Sequence, residues 1–325
     1  MKITRFLTFR LLSFILVCTS ISITAFASIW ESGKIVYTSQ FFGDLDIYAM
    51  GPHGDDKTPL TVSAADDYDP TWSPNGQHIV FVSDRSGQPD LYIMEDDGSN
   101  QERVRLLSRH RTSPTWAPDG ERIAYALNLE EIYIWDFARG SPEFLVAGAN
   151  PAWSPDGRYI AFLQDGAGSG ASEGASLYVI DLETRRVRKL VDGSLSTELS
   201  DPTWGPQSIY IVFSWVDTFG DSGIYYVPRW GGEARRMNYW EGYHLHHPDI
   251  SPYGGEMLLE AHPDDYTQQH IYKVTRRTNH WHRLTSPLNS TYNYDPDWWY
   301  PTTFPVEQRD SQFTTTWGEL KKIND

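Results

Sequence analysis

Seven of the ten histidines lie between His244 and His282, and imidazole is the commonest side-chain ligand for a transition metal. Strand periodicity sorts them. His244 and His246 are two apart, so an extended chain places both on one side, and His262 follows on a neighbouring loop. Imidazoles at this spacing suit Zn²⁺, Mn²⁺ or a similar ion, which is the alternative reading; ordinary polar histidines of the loop face, with no metal, are the expected one. His280 and His282 enter from the opposite face of their element, and His270, at a strand edge, is open to either side. Other chemistries find less support. The single cysteine, Cys18, is too near the N-terminus to give the folded body a disulfide, a Cys-rich zinc site or a thiol nucleophile. Ser154-Pro155-Asp156-Gly157 lacks the residue between Asp and Gly that an Asp-box needs. Glu95-Asp96-Asp97-Gly98 lacks the alternating ligands of a calcium loop. No Gly-x-Ser-x-Gly elbow occurs between Pro301 and Asp325. With 43 acidic against 27 basic residues and a formal charge of −16, the surface repels phosphate backbones and anionic lipid. No nucleic-acid partner is therefore expected.

The elements that must carry these residues are visible as a repeat. A proline-centred anchor recurs six times: Asp69-Pro70-Thr71-Trp72, Ser113-Pro114-Thr115-Trp116, Asn150-Pro151-Ala152-Trp153, Asp201-Pro202-Thr203-Trp204, His247-Pro248-Asp249-Ile250 and Asp295-Pro296-Asp297-Trp298. An Ile/Leu-Tyr pair keeps the same beat at Tyr48, Tyr92, Tyr133, Tyr178, Tyr225 and Tyr272. Each unit reads as four short strands. Asn75-Gly76, Asp119-Gly120 and Asp156-Gly157 are expected to supply two successive positive-φ residues to a tight hairpin turn. Four strands at a spacing of about 45 residues predict a propeller blade. Three strands precede the first anchor and only one follows the last. The expected fold is therefore all-β, a six-bladed propeller closed by pairing the C-terminal anchor strand with the N-terminal three strands. Such closure hides sheet edges that would otherwise aggregate.

In such blades the loops from second to third strand, and from fourth strand to the next anchor, share one face. Variable loops on a rigid scaffold are where binding usually resides. That face is expected to present Tyr68, Phe219, Tyr266, Tyr292 and Tyr294, with Phe41 and Phe42. A basic loop, Arg109-His110-Arg111, faces acidic loops at Asp66-Asp67 and Glu198. Ser83-Asp84-Arg85 with Asp90 is expected to form an ion pair and turn inside the first blade. Gly166 to Ser176, rich in Gly and Ser, is expected to be a loop.

At the N-terminus, Lys2, Arg5 and Arg10 precede the apolar run Leu11 to Val17, and small residues follow up to Ala25-Phe26-Ala27. This order predicts a signal peptide over 1–27, cleaved after Ala27, leaving no stable membrane anchor. Residues 28–300 form the expected single propeller domain and 301–325 a tail or strap. The expected location is periplasmic or secreted.

The anchor and its followers resemble the TolB-like propeller repeat family. The likeness rests on Trp72-Ser73-Pro74-Asn75-Gly76, Ile79-Val80-Phe81, Ser83-Asp84-Arg85, Asp90-Leu91-Tyr92 and Asp97-Gly98, and again on Trp153-Ser154-Pro155-Asp156-Gly157 and Ile160-Ala161-Phe162. The resemblance implies the fold and says less about activity. The family's namesake, a periplasmic protein of the cell-envelope Tol system, carries an extra N-terminal domain, which is expected to be absent here because only a few residues separate Ala27 from the first strand. A related family, the oligogalacturonate lyases, joins this kind of repeat to a His-rich metal site on more blades. The expected function is a non-enzymatic exported module, without cofactor, that recognises a protein or glycan through its loop face and channel mouth. The alternative is a metal-dependent lyase or hydrolase acting on an acidic saccharide, centred on His244, His246 and His262.

Overall fold

The computed structural model describes residues 33–41, 43–104, 111–164, 174–238, 240–265, 267–286 and 292–301. The expected signal peptide, the Gly166–Ser176 loop up to Glu173 and the 302–325 part of the tail lie outside them. Strands β1–β3 span Lys34–Phe41, Asp44–Met50 and Thr58–Pro59; β4–β7 span Asp67–Trp72, His78–Ser83, Asp90–Glu95 and Glu102–Arg103. Strands β8–β11 cover Arg111–Trp116, Arg122–Leu127, Glu131–Asp136 and Ser141–Ala147, and β12–β15 cover Ala149–Trp153, Tyr159–Gln164, Ser176–Asp181 and Val187–Val191. The last blades use β16–β19 (Ser196–Trp204, Tyr210–Asp217, Ser222–Pro228, Arg235–Asn238), then β20–β23 (Tyr243–Ile250, Glu256–Pro263, His270–Thr275, His280–Arg283), then β24 (Tyr292–Trp299). Five sheets use four consecutive strands, and the sixth has the order β24-β1-β2-β3. The closure expected from the repeat count is therefore present, with Lys34 opposite Trp299 and Ile35 opposite Trp298. We number the β4–β7 sheet as blade 1 and this composite sheet as blade 6. Among the described residues no helix is long and apolar enough to cross a membrane.

The core is divided by the seams between blades. Trp72 packs with Ile79 and Phe81 of its own blade and with Val36, Ile47 and Leu60 of blade 6. Trp116, Trp153, Trp204 and Trp298 sit in the same way between their own and the preceding blade. Ile250 takes that place between blades 4 and 5. Six buried clusters thus join six sheets, and burying a side chain of this size contributes roughly 1.5–3 kcal/mol.

The hairpin turns differ from the expectation. Gly76, Gly120 and Gly157 have φ of +68°, +72° and +74°, but Asn75, Asp119 and Asp156 do not share the left-handed region. The cause is the proline before them, which fixes a negative φ and starts a type I turn that only the following glycine leaves. Asn75 and Asp156 act instead through their side chains. Asn75 Oδ1 accepts from the Ser73 hydroxyl (2.7 Å) and the Gln77 amide (3.1 Å), and Asp156 Oδ1 from Ser154 (2.6 Å) and Arg158 (3.1 Å).

Candidate functional site

Every innermost strand breaks its pairing at the anchor. The register of β4 on β5 shifts between Tyr68 and Thr71, and β8, β12, β16 and β20 shift at the equivalent places. These are bulges, which re-aim a side chain. The residue before each anchor proline has left-handed φ: Asp69 +59°, Ser113 +51°, Asn150 +49°, Asp201 +52°, His247 +44° and Asp295 +49°. Asn, Asp and His tolerate this region better than most residues. The six form a ring around the axis, one per blade.

Hydrogen bonds run around this ring. Asp69 Oδ2 accepts from the Ser113 amide (2.8 Å), Asp201 Oδ2 from His247 (3.1 Å), and Asp295 Oδ2 from Asp69 (3.3 Å). At blade 5 the ring residue is an imidazole, so buried Glu260 from β21 accepts from the Asp295 amide instead (2.5 Å). One step below, Asp249 Oδ2 accepts from the Trp298 amide (2.9 Å) and Asp297 Oδ2 from Trp72 (2.7 Å).

His247 ties three blades together. Its Nε2 is 3.1 Å from both Asp201 Oδ1 and Asp295 Oδ1, and its Nδ1 is 2.9 Å from Glu260. Burial disfavours its charge, but Asp201, Glu260 and Asp295 outweigh that and hold it well above its ordinary pKa. Asp295 is pushed up to about 7 by burial, against the pull of His247 and with the repulsion of Asp69 and Glu260. Asp201 resists the same burial and stays below the usual carboxylate range because His247 and His246 lie beside it. Ligand-type atoms of His247, Glu260 and Asp295 lie within 4.8 Å of one another. These are mixed imidazole and carboxylate donors, and His247 would have to give up its proton to ligate a metal there.

Sequence reasoning passed over this cluster although all six ring residues open the repeated anchor. The available signal was that four of the six residues before proline are ionisable. Glu260 carried no such mark.

Above the ring, the expected histidines do come together. His244 and His262 are directly paired across β20 and β21, with ring centroids 5.1 Å apart; His246 and His262 are at 5.4 Å, and His244 and His246 at 6.4 Å. The planes are stacked within 11–17°. Burial, followed by the neighbouring imidazoles, holds His262 below its ordinary pKa, a neutral state that could present nitrogen donors. His244 Nε2 is 3.6 Å from Asp264, and His246 Nδ1 is 3.6 Å from Glu198. As expected, His280 and His282 are on the outermost strand of the same blade, while His270 is buried beside Thr285 and Gln268.

Tyr292 and Tyr294 stack at 6.2 Å and 8° in β24, Tyr68 is half-buried in β4, and Phe219 is 92% exposed. Arg111 is a correction. It is fully buried and ion-paired to Asp90, so it belongs to the blade interior and not to the loop surface. The pairing inside blade 1 also changes: Arg85 grips Asp67 with both bonds (2.9 and 2.8 Å), and Asp90 serves Arg111 and Arg103. Arg85 turns away from Asp90 because the Ser83 hydroxyl accepts from its Nε (2.8 Å). Arg109, His110, Tyr266 and Phe42 lie outside the described residues.

A family model described as the TolB beta propeller domain matches residues 21–170 and 112–301. The chain is similar in structure to TolB from Acinetobacter baumannii (TM-score 0.69, 16% identity), covering 82% of this chain and 66% of that one. It is similar to a putative TolB from Agrobacterium tumefaciens (TM-score 0.64, 16% identity, 84% and 99% covered). An oligogalacturonate lyase in complex with manganese aligns at TM-score 0.52 and 14% identity over 78% of this chain and 74% of that one. The chain thus spans just under two thirds of the Acinetobacter protein, and at these identities the likeness carries the fold alone. No curated protein matches in sequence.

Proposed function

We propose, from the premise that this chain belongs to the TolB β-propeller domain family, that it is an exported, non-enzymatic binding module. Its loop face and channel mouth engage a protein or glycan partner. One observation carries the reading. The carboxylates and imidazole of the channel ring are engaged in holding neighbouring blades, by bonds to backbone amides and to one another. Aromatic side chains gather above them at the mouth. A ring used to hold blades supplies rigidity, and flat half-buried rings supply contact area at low entropic cost. Export is supported by the Lys2–Arg10 basic stretch, the apolar run and Ala25-Phe26-Ala27.

The test is metal content and binding together. The mature protein should purify without stoichiometric divalent metal, its melting should ignore chelators, and peptide or glycan arrays should lose signal when Tyr68 and Tyr294 are replaced. Stoichiometric metal that disappears in the His244→Ala/His246→Ala variant, with turnover of an acidic saccharide, would overturn the reading in favour of metal-dependent chemistry.

A further inference from the structure

The channel mouth is lopsided, and its lopsidedness points to the charge of what it holds. One residue before each ring position stand Tyr68, Thr112, Ala149, Ser200, His246 and Tyr294. The three ring-bearing side chains fall on consecutive blades 5, 6 and 1, and the small ones on blades 2, 3 and 4. A crescent of rings therefore faces a shallower half. Tyr294 lies close enough to Glu260 and Asp295, and Tyr68 to Asp69 and Asp295, for those carboxylates to act on both phenols. Burial first, and then these charges, push both hydroxyls up to about 12, so they remain donors with neutral rings. The level beneath is reachable, since the His247 side chain is 38% exposed.

Carboxyl groups outnumber basic groups at this level. Asp69, Asp201, Asp295 and Glu260 share His247 as their counter-ion. Among the described residues, the nearby loop-face arginines of blades 1 and 2 are committed elsewhere, Arg85 to Asp67 and Arg111 to Asp90. Aromatic faces beside carboxylates suit a side-chain cation, and best the flat, weakly hydrated guanidinium, which gains both ring contact and charge-assisted hydrogen bonds. A neutral sugar would gain the first alone, and an acidic one would be repelled.

Resting on the binding-module reading, we propose that Tyr68 and Tyr294, above Asp69 and Asp295, receive an arginine or lysine side chain from an extended basic segment of a protein partner. A random 12-residue peptide display library panned on the full mature protein tests it, alongside neutral and acidic oligosaccharides. Enriched peptides should carry Arg or Lys. Replacing that Arg by citrulline should weaken binding at least tenfold, as should Tyr68→Ala/Tyr294→Ala. Tyr68→Phe/Tyr294→Phe should keep most of the binding, with unchanged melting confirming that each variant folds. Equal binding of the citrulline peptide, or enrichment of sequences without basic residues, overturns the proposal. Oligosaccharides binding through this rim in place of peptides would overturn it too, while leaving the module reading standing. If neither class binds through the rim, both fall.

Discussion

Asp90 is fully buried and balances two arginines, of which Arg111 is also fully enclosed. Removing one member of such a pair strands the other charge without water. Asp90→Ala is therefore expected to cost about 3–5 kcal/mol, the range for uncompensated buried ions. Adding Arg111→Met should restore part of that loss, because the pair is worth less than the cost of breaking it. Urea unfolding of the two variants and the parent measures both steps. A double variant no more stable than Asp90→Ala would show that Arg111 is not the stranded group. Arg85 is the contrast. It is partly exposed and lies over the Tyr92 ring at 4.9 Å, and its buried partner Asp67 would keep a bond from the Ser63 hydroxyl (3.3 Å), so Arg85→Ala should cost less.

At the scale of elements, the hairpin after each anchor does two jobs. It turns the chain, and in blade 1 it also seats the closing strand. Trp299 Nε1 donates to the Pro74 carbonyl (3.2 Å), and a Cβ built on Gly76 would lie 2.1 Å from the Trp299 ring. Gly87 has an equally left-handed φ of +90° but open space around it. Gly87→Ala is expected to cost about 1–2 kcal/mol for the backbone alone. Gly76→Ala should add about 1–3 kcal/mol of overpacking. Comparable unfolding midpoints for the two variants would mean that Trp299 gives way without cost. The φ of Gly76 was legible in its sequence motif. Its contact with a residue 223 positions later was not, because loop sequence reports local geometry and says nothing of what docks on it.

For the whole molecule, closure and acidity are coupled where blades 4, 5, 6 and 1 meet. Burial and the neighbouring Asp297 raise Asp249 well above the carboxylate range, and burial pushes Asp297 up to about 7, opposed by its bond from the Trp72 amide. A folded pKa above the unfolded one means that stability is fully present below the unfolded value, about pH 4, and is lost as pH rises toward about 7. Asp295 follows the same course. His247, also raised, contributes below about pH 6.5 and loses its contribution as it deprotonates at higher pH. Asp201, held low, acts oppositely, and only as pH falls through the acid range. The melting temperature should therefore fall from pH 5 to pH 8. Asp297→Asn should flatten the part up to about 7, and His247→Gln the part above. A melting temperature that climbs steadily over this interval would contradict the scheme. Removing Asp295–Tyr300 should destabilise the ring far more than clipping residues 302–325, since β24 is the innermost strand of blade 6. Equal, small losses in thermal scans would count against closure as a source of stability.

Sequence alone determined the number of blades, the strand order within them and the way the ring closes. Those features are written in local, repeated chemistry: a proline, a tryptophan, a glycine turn and a tyrosine returning every 40 to 50 residues or so. It also grouped His244 and His246, two apart on one strand, with His262; that His262 lies on the paired strand β21 and not on a loop came from the structure. Only the tertiary structure decided that Asp69, Asp201, His247, Glu260 and Asp295 meet at one level, or that Arg111 turns inward to Asp90 instead of outward to a partner. Such pairings join residues tens to hundreds of positions apart and depend on distances of about 3 Å across blade seams. A repeat fixes where each strand goes. Which unlike side chains meet across the axis depends on the differences between copies.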